Sequence, residues 1–486
     1  MLKSLFRHSL VYGIASTLQN ATGFILLPLY TSRLSVSEYG TLEIFLITAA
    51  VLTRILQLGL GSATFKYYAY SKSQGATVQN RAVISTAFYG LVGFSLTALG
   101  TLFFFRGPIA GLLFHAPGYE GLFTLTLALV FFQLLMVIPT SYLRILNRSV
   151  TLSVLNLLLF LVQIGLIVFF VALADQKIYG VLLGKLIAFT LFAGVFVSVV
   201  REALKGPVDP GVLKKMLSYG IFLVPVSICL MVLTMSNRYF LLFFAGSQAV
   251  GLFAAVNRIA SLLLLAVSGF QMAWPSIMFS IRELDRPKQY YSRIFTYYNL
   301  VFLFLVLAVS LFSRELVLLL STEDYLPYAS LIPVLAAGYF FYGIFYAGSV
   351  GINIFNKTYF QSIAAVLAAL SNLLLNIWLI PRYQVWGAAL AHLASFVILG
   401  VLAMRFSQRI YPIPIQWARV GKLALVGGLF LLLGYSVKSL HPQFWVGVVG
   451  KMLILSLVFP GLLYILNFFD GEEKQLISQV IQRLRR

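Results

Sequence analysis

Glu43 and Arg54 are the residues best placed to do chemistry. Both fall inside one apolar stretch, 41–61, whose other faces are Leu, Ile, Phe and Val. Their spacing is close to three helical turns, so on a helix they share a face roughly 16 Å apart. Ala50, Gln57 and Gly61 continue that face with small or polar side chains. A central Arg costs about 2.5–3.5 kcal/mol on insertion scales, so a helix facing lipid all round would not carry one. The stripe predicts a wet, charged interior. Arg258 repeats the signal in the stretch 249–279, with Ser261, Ser268 and Met272 along its face and Asn257 and Gln271 beside it. Gly13, Ser16, Asn20 and Gly23 form a comparable stripe in the first apolar stretch.

Glu43 is the one carboxylate inside any of these stretches, and it cannot neutralise both Arg54 and Arg258. Surplus fixed cation in a low-dielectric interior calls for a mobile anion, and phosphate oxygens suit the paired donors of Arg. The predicted anion-binding set is Arg54, Arg258, Arg33 and Arg238. Glu43 serves as counter-ion or as the responder to a coupling ion, and Asn20, Gln57, Asn257 and Ser261 supply polar lining. Competing readings stand beside this one. An intramembrane Arg can be a structural partner satisfied by backbone carbonyls, and Arg33 and Arg238, nearer the outer ends, can snorkel. Lys185 and His392 occupy equivalent positions, where helix packing or snorkelling is favoured. Lys451 sits on an apolar stretch of its own.

No phosphate-cradling Gly-Lys-Ser/Thr loop is present, so hydrolysis of ATP by this chain is not expected. Glu283, Asp285, Glu323 and Asp324 read as solvated loop charge rather than metal ligands. The expectation is a transporter without catalytic residues, resident metal or cofactor, with coupling to H⁺ or Na⁺ left open.

The elements that position these residues follow from composition. The chain has 486 residues, 60% hydrophobic and 10% charged, with a mean hydropathy of +0.94. Soluble proteins carry about 25% charged residues, so this is the composition of a polytopic membrane protein. The single cysteine, Cys229, excludes an internal disulfide framework. The 42 Phe and 26 Tyr are largely accounted for by interfacial belts. A net charge of +21 on a soluble protein would suggest nucleic acid; here the excess sits in short loops, and no nucleic-acid partner is expected.

Stretches long enough to span fall at 9–31, 41–61, 83–105, 121–143, 151–173, 179–200, 217–241, 249–279, 294–313, 328–350, 359–380, 386–404, 418–437 and 444–467. The predicted fold is therefore all-α with fourteen transmembrane helices. The first stretch is too long for a signal-peptide core and is expected to be retained. The opposite loops hold only Arg33, Arg106, Lys177, Arg314, Arg382 and Lys438, whereas most other Lys and Arg fall on the N-terminal side. That bias places both termini in the cytoplasm. Pro28, Pro139, Pro225, Pro275 and Pro333 are expected to kink spans.

The chain also repeats. Leu146-Asn147-Arg148 matches Phe355-Asn356-Lys357, Gly180 to Phe189 matches Gly387 to Phe396, and Tyr12-Gly13 matches Tyr219-Gly220. Six spans return the chain to its starting side, so the halves are parallel and related by a pseudo-twofold axis along the membrane normal. The predicted parts are a lobe at 1–200, a connector at 201–216, a second lobe at 217–410, a helix pair at 411–469 and an amphipathic tail at 470–486.

The opening pattern, Tyr12-Gly13, Leu26-Leu27-Pro28-Leu29-Tyr30, Arg33-Leu34 and Glu38-Tyr39-Gly40-Thr41-Leu42, resembles one known family. It is that of the polysaccharide transporters, the Wzx-type oligosaccharide flippases of the multidrug/oligosaccharidyl-lipid/polysaccharide exporter superfamily. The resemblance implies a V-shaped pair of lobes that alternate access in the plasma (inner) membrane. It implies passage of an undecaprenyl-diphosphate-linked glycan from the inner to the outer leaflet, in O-antigen-like surface polysaccharide assembly. Membrane lipids, a glycan polymerase and other assembly proteins are the implied partners. Cavity-lining roles carry over to Arg54 and Arg258 by position only. A multidrug or cation exporter of the same superfamily, which would need more intramembrane acid, and a lipid II flippase of the peptidoglycan pathway remain alternatives. A glycan polymerase or ligase lacks its expected outer loop.

Overall fold

Backbone groups in a bilayer have no water to bond, so long apolar segments satisfy them internally as helices. The computed structural model describes residues 22–73, 77–114, 118–221, 224–436, 444–471 and 473–475, and among these every regular element is helical. In chain order they begin α1 (Leu27–Arg33), α2 (Val36–Leu56), α3 (Leu60–Ser73), α4 (Thr77–Phe104), α5 (Arg106–Phe114), α6 (Glu120–Leu135) and α7 (Val137–Ile145). Then come α8 (Ser149–Val168), α9 (Lys177–Leu204), α10 (Pro210–Ile221), α11 (Val224–Ala260), α12 (Leu262–Arg282), α13 (Pro287–Leu311) and α14 (Ser313–Leu320). The last are α15 (Ile332–Ala347), α16 (Val350–Ile354), α17 (Tyr359–Ile410), α18 (Trp417–Ser436), α19 (Phe444–Leu453) and α20 (Phe459–Ile465).

Eleven stretches among the described residues are long and apolar enough to cross a membrane. The polytopic all-α fold is as expected, but the count of fourteen is not established. The predicted span at 9–31 lies largely outside the described residues. Those at 359–380 and 386–404 fall in one stretch, α17, which is two helices joined at Gln384 (φ 46°, ψ −119°). In α11 the join is at Gly246 (φ 80°, ψ 175°), a conformation that needs glycine. Of the predicted tail only its first residues are described.

Two expectations about helix shape need correction. The stripe through Arg54, Gln57 and Gly61 is not continuous, because α2 ends at Leu56 and Leu58 and Gly59 turn into positive φ. Likewise α11 ends at Ala260 and α12 starts at Leu262, so Ser261 marks a break in the predicted face of Arg258. Among the expected kink prolines, Pro28, Pro139 and Pro333 follow by two or three residues the breaks at Leu26, Met136 and Leu331, and Pro275 is inside α12.

The chain forms two compact units. One comprises Met1–Arg258, Leu320–Asp324 and Ala365–Ser395; the other comprises Ile259–Leu319, Tyr325–Ala364 and Phe396–Arg486. Within the first, α9 packs on α6 and α8, and α2 packs on α6. Helices in lipid gain little from hydrophobic transfer and associate through close van der Waals fit, which small residues allow. The crossing of α2 with α11 shows this. A Cβ on Gly40 would stand 1.8 Å from the Ser247 carbonyl oxygen, and one on Gly251 would stand 2.0 Å from that of Val36. Hydroxyl pairs Ser37–Ser247 (2.6 Å) and Thr48–Tyr239 (2.8 Å) stitch the same two helices.

In the second unit, α18 and α20 bury Leu423, Val426, Phe430, Phe459 and Leu463 against Leu307 of α13. Arg419 is buried at the start of α18. It donates to the Phe468 carbonyl (2.7 Å), to Gln416 and Asp470 (both 3.1 Å) and to Glu473. Tyr297 of α13 also donates to Glu473. The chain after α20 is thus clamped onto α13 and α18.

The glycine crossing predicts that Gly40→Val lowers thermal stability of the detergent-solubilised protein by about 1–3 kcal/mol, the usual cost of overpacking. Gly93→Ala, at a position with open space around it, is expected to be neutral or slightly stabilising. Equal melting of the two variants counts against the crossing. For the clamp, burial alone would raise the Glu473 carboxyl, but bonds from Tyr297, the Asp470 amide and Arg419 outweigh it and hold it below the usual range. Its contribution is complete above the ordinary Glu value of about 4.3 and is lost as pH falls through the lower folded value. Amide exchange across 468–475, corrected for intrinsic rate, should stay protected from pH 7 to about 5. Opening within that range contradicts the clamp.

Candidate functional site

The short approach of α2 to α11 decides which charges meet. Glu43 lies one turn beyond Gly40, and Arg258 lies two turns beyond Gly251, so a carboxylate with a short stem is within reach of a guanidinium with a long one. Arg258 Nη2 donates to both Glu43 oxygens, at 3.2 and 3.1 Å. Arg238, earlier on α11, brings its Nε to 3.4 Å from Glu43 Oε1, an ion pair without hydrogen-bond alignment. Its Nη1 donates to the Thr234 carbonyl at 2.9 Å, and its guanidinium stands 5.5 Å from the Phe253 ring centroid. Glu43 and Arg238 side chains are 3% and 7% exposed, whereas that of Arg258 is 27% exposed. Of the three, Arg258 is therefore the one that can present donors to an incoming group.

Three further elements frame the cluster. Lys185 of α9 lies within electrostatic reach of both Glu43 and Arg258. Tyr30 and Tyr39, with ring centroids 6.1 Å apart, are buried beside Arg258. Gly23 leaves the space that the Arg258 guanidinium fills: a Cβ there would fall 2.6 Å from Nη1. The formal charge of Glu43, Arg238, Arg258 and Lys185 is three cations against one carboxylate.

A second polar group lies on the same α11, directly before Arg238. Ser236 donates to Asn372 Oδ1 (2.7 Å), and Asn376 Nδ2 donates to Asn237 and Asn372 (both 2.9 Å). Asn372 Nδ2 reaches Ser395 Oγ at 3.1 Å, and Asn237 Nδ2 reaches the Ala388 carbonyl at 3.1 Å. All of these are buried, as is His392 on the same helix. The network is uncharged. It ties both halves of α17 to α11 and fixes the segment from which Arg238 projects.

The predicted site residues divide. Glu43, Arg238 and Arg258 come together. Arg238 is not a snorkelling residue, since its guanidinium is buried on Glu43. Arg54 and Arg33 are exposed and make no hydrogen bond or ion pair among the described residues. Arg54 is three turns from Glu43 on α2, and the ion pairs of Glu43 are made by Arg238 and Arg258. Gln57 is the half-buried C-cap of α2, Asn257 is buried next to Arg258, Ser261 is half-buried in the second unit, and Asn20 lies outside the described residues. In the sequence Lys185 reads as a packing or snorkelling residue, and Tyr30, Tyr39 and the Asn network are not among the predicted site residues. Lys185 carried the usable signal, an ammonium in an apolar stretch. The tyrosines and asparagines did not, since such residues are common in membrane helices.

Comparison with known proteins bears on this arrangement. Residues 5–281 match the family model described as "Polysaccharide biosynthesis protein". An uncharacterized membrane protein of Methanocaldococcus jannaschii is 23% identical over 287 residues, which are 56% of this chain and 54% of that protein, so the chain spans about half the length of this relative. Among solved structures, the lipid II flippase MurJ in an inward closed conformation matches with a TM-score of 0.72 and 19% identity, covering 94% of this chain and 99% of that one. An inward-facing multidrug resistance MATE family transporter of the MOP superfamily matches with a TM-score of 0.68 and 14% identity, covering 85% and 96%. This multi-pass membrane protein therefore belongs to the polysaccharide biosynthesis protein family, and its fold is the one that MurJ and the MATE transporters share.

Proposed function

We propose that this protein is a flippase that moves a polyprenyl-diphosphate-linked oligosaccharide across the plasma (inner) membrane by alternating access, with both termini in the cytoplasm. The observation that carries the reading is the Glu43 cluster, in which guanidiniums outnumber the carboxylate and Arg258 alone is partly exposed. When a diphosphate takes the Arg258 donors, Arg238 keeps Glu43 neutralised, so the exchange leaves no buried charge without a partner. The glycan then crosses without exposing its hydroxyls to hydrocarbon, which is what lowers the barrier. Membrane lipids surround the carrier chain, and a glycan polymerase would receive the product. Arg54 and Arg33, being exposed, serve as approach charges in this scheme. A coupling ion, H⁺ or Na⁺, would act at Glu43 by competing for its oxygens. Lipid II transport is the second reading, favoured by the fold match to MurJ. Export of cationic drugs is disfavoured by the sign of the cluster.

Delivery of lipid-linked glycan to the outer leaflet, measured in cells lacking the native protein, tests the assignment. Arg258→Ala is expected to reduce delivery at least about tenfold, the worth of one lost charge-assisted bond, at unchanged membrane abundance. Gly23→Ala is expected to reduce it as well, because the new Cβ displaces a flexible guanidinium rather than backbone. Full delivery by a well-folded Arg258→Ala protein rejects the site. Accumulation of lipid II instead of surface glycan precursor in the deletion strain selects the second reading.

The cluster also has a stability signature. Glu43→Gln leaves two guanidiniums around a neutral amide and should destabilise by about 3–5 kcal/mol. Adding Arg238→Gln should recover much of that loss in thermal melts. A double variant as unstable as the single one means that Arg238 and Glu43 are not coupled.

A further inference from the structure

A second cationic place lies wholly in the other unit. Where α13 ends and α14 begins, a cleft of about 600 Å³, counting the space at its mouth, is lined by Ser310, Arg314, Ser330, Phe430 and Lys451, with Leu307 and Leu311 on its apolar wall. Lys451 is buried and bonds Glu315 Oε1 at 2.6 Å. That uses one of three ammonium donors, leaving two. Arg314 is exposed at the rim and spends none of its donors among the described residues. Ser310 Oγ is buried with no hydrogen-bond partner among the described residues. The cleft therefore joins unused donors, the Arg314 cation and the Lys451 ammonium already paired with Glu315 to a hydrocarbon wall. A ligand that fits has acceptor oxygens with negative charge on one end and an apolar body on the other.

We propose that this cleft binds the phosphate of a membrane lipid headgroup, with Arg314 and Lys451 on the phosphate oxygens, the Ser310 hydroxyl donating beside them and the lipid chain along Leu307, Leu311 and Phe430. Arg supplies paired donors and Lys a point charge, the combination that phosphate sites use. Basic pockets between membrane helices are a recurring form of headgroup recognition. A purely structural ion pair would need Glu315 and Lys451 but not the open cleft, the idle Arg314 or the unpartnered Ser310. The cleft sits at the end of α13 opposite its start beside Arg282, Arg286 and Lys288. By the positive-inside bias that is the outer-leaflet side. The assignment does not depend on what the Glu43 cluster carries.

Native mass spectrometry of the purified full-length protein, titrated with phosphatidylglycerol, tests it against diacylglycerol of the same chains and against inorganic phosphate. The wild type should retain one phosphatidylglycerol per chain and no diacylglycerol, with no displacement by millimolar inorganic phosphate. Arg314→Gln touches no ion pair and should weaken retention on the order of tenfold. Because Lys451→Met alone would leave Glu315 buried without its partner, the second variant is Lys451→Met with Glu315→Met, which removes both charges together and should weaken retention similarly. Unchanged retention in both variants overturns the site. Equal retention of diacylglycerol shows an apolar groove only, and displacement by inorganic phosphate shows a free-anion site; either result overturns the headgroup assignment.

Discussion

One carboxylate shared between two guanidiniums organises the first unit. Glu43 reaches Arg238 and Arg258 only because α2 and α11 cross at glycines, with backbone where side chains would otherwise stand. Removing a charge from water in a membrane helix is expensive, and the expense is met here by direct pairing rather than by solvent. The arrangement is asymmetric by construction. Two members are fully enclosed, while the third is partly open and rests against a glycine.

The uncharged network on α11 and α17 has a complementary part. Ser236 and Asn237 immediately precede Arg238, and their bonds to Asn372 and Asn376 leave that turn of α11 little freedom. Hydrogen bonds in low dielectric are strong when satisfied and costly when broken, so such a network fixes one helix register rather than several. Positional precision at Arg238 thus comes from neutral neighbours, and charge from Glu43. In the second unit the same division recurs at Arg419, whose guanidinium collects a carbonyl, an amide oxygen and two carboxylates to hold the end of the described chain.

How far the site was legible in the sequence depends on residue type. Glu43 and Arg258 stood out because ionisable groups are rare in apolar stretches, and Gly23 because it extended a stripe of small residues. Arg54 stood out by the same rule and is not in the cluster. Helical periodicity puts it on the face of Glu43, but α2 ends two residues later, at Leu56, and its side chain is exposed. Arg238, near a span end, fits either anion binding or snorkelling. A linear count of residues cannot see that the chain reverses at Gly246 and that α2 covers this end of α11.

Composition and periodicity by themselves determined that the chain is a polytopic bundle of apolar helices, because transfer of a segment into lipid is a sum over its own residues. They also determined that acid is scarce among the buried charges, since that is a matter of counting. Which charges meet was decided only by the tertiary structure. Pairing energy falls off within a few ångströms, and those ångströms are set by the crossing of α2 and α11, where two glycines far apart in sequence let the backbones touch.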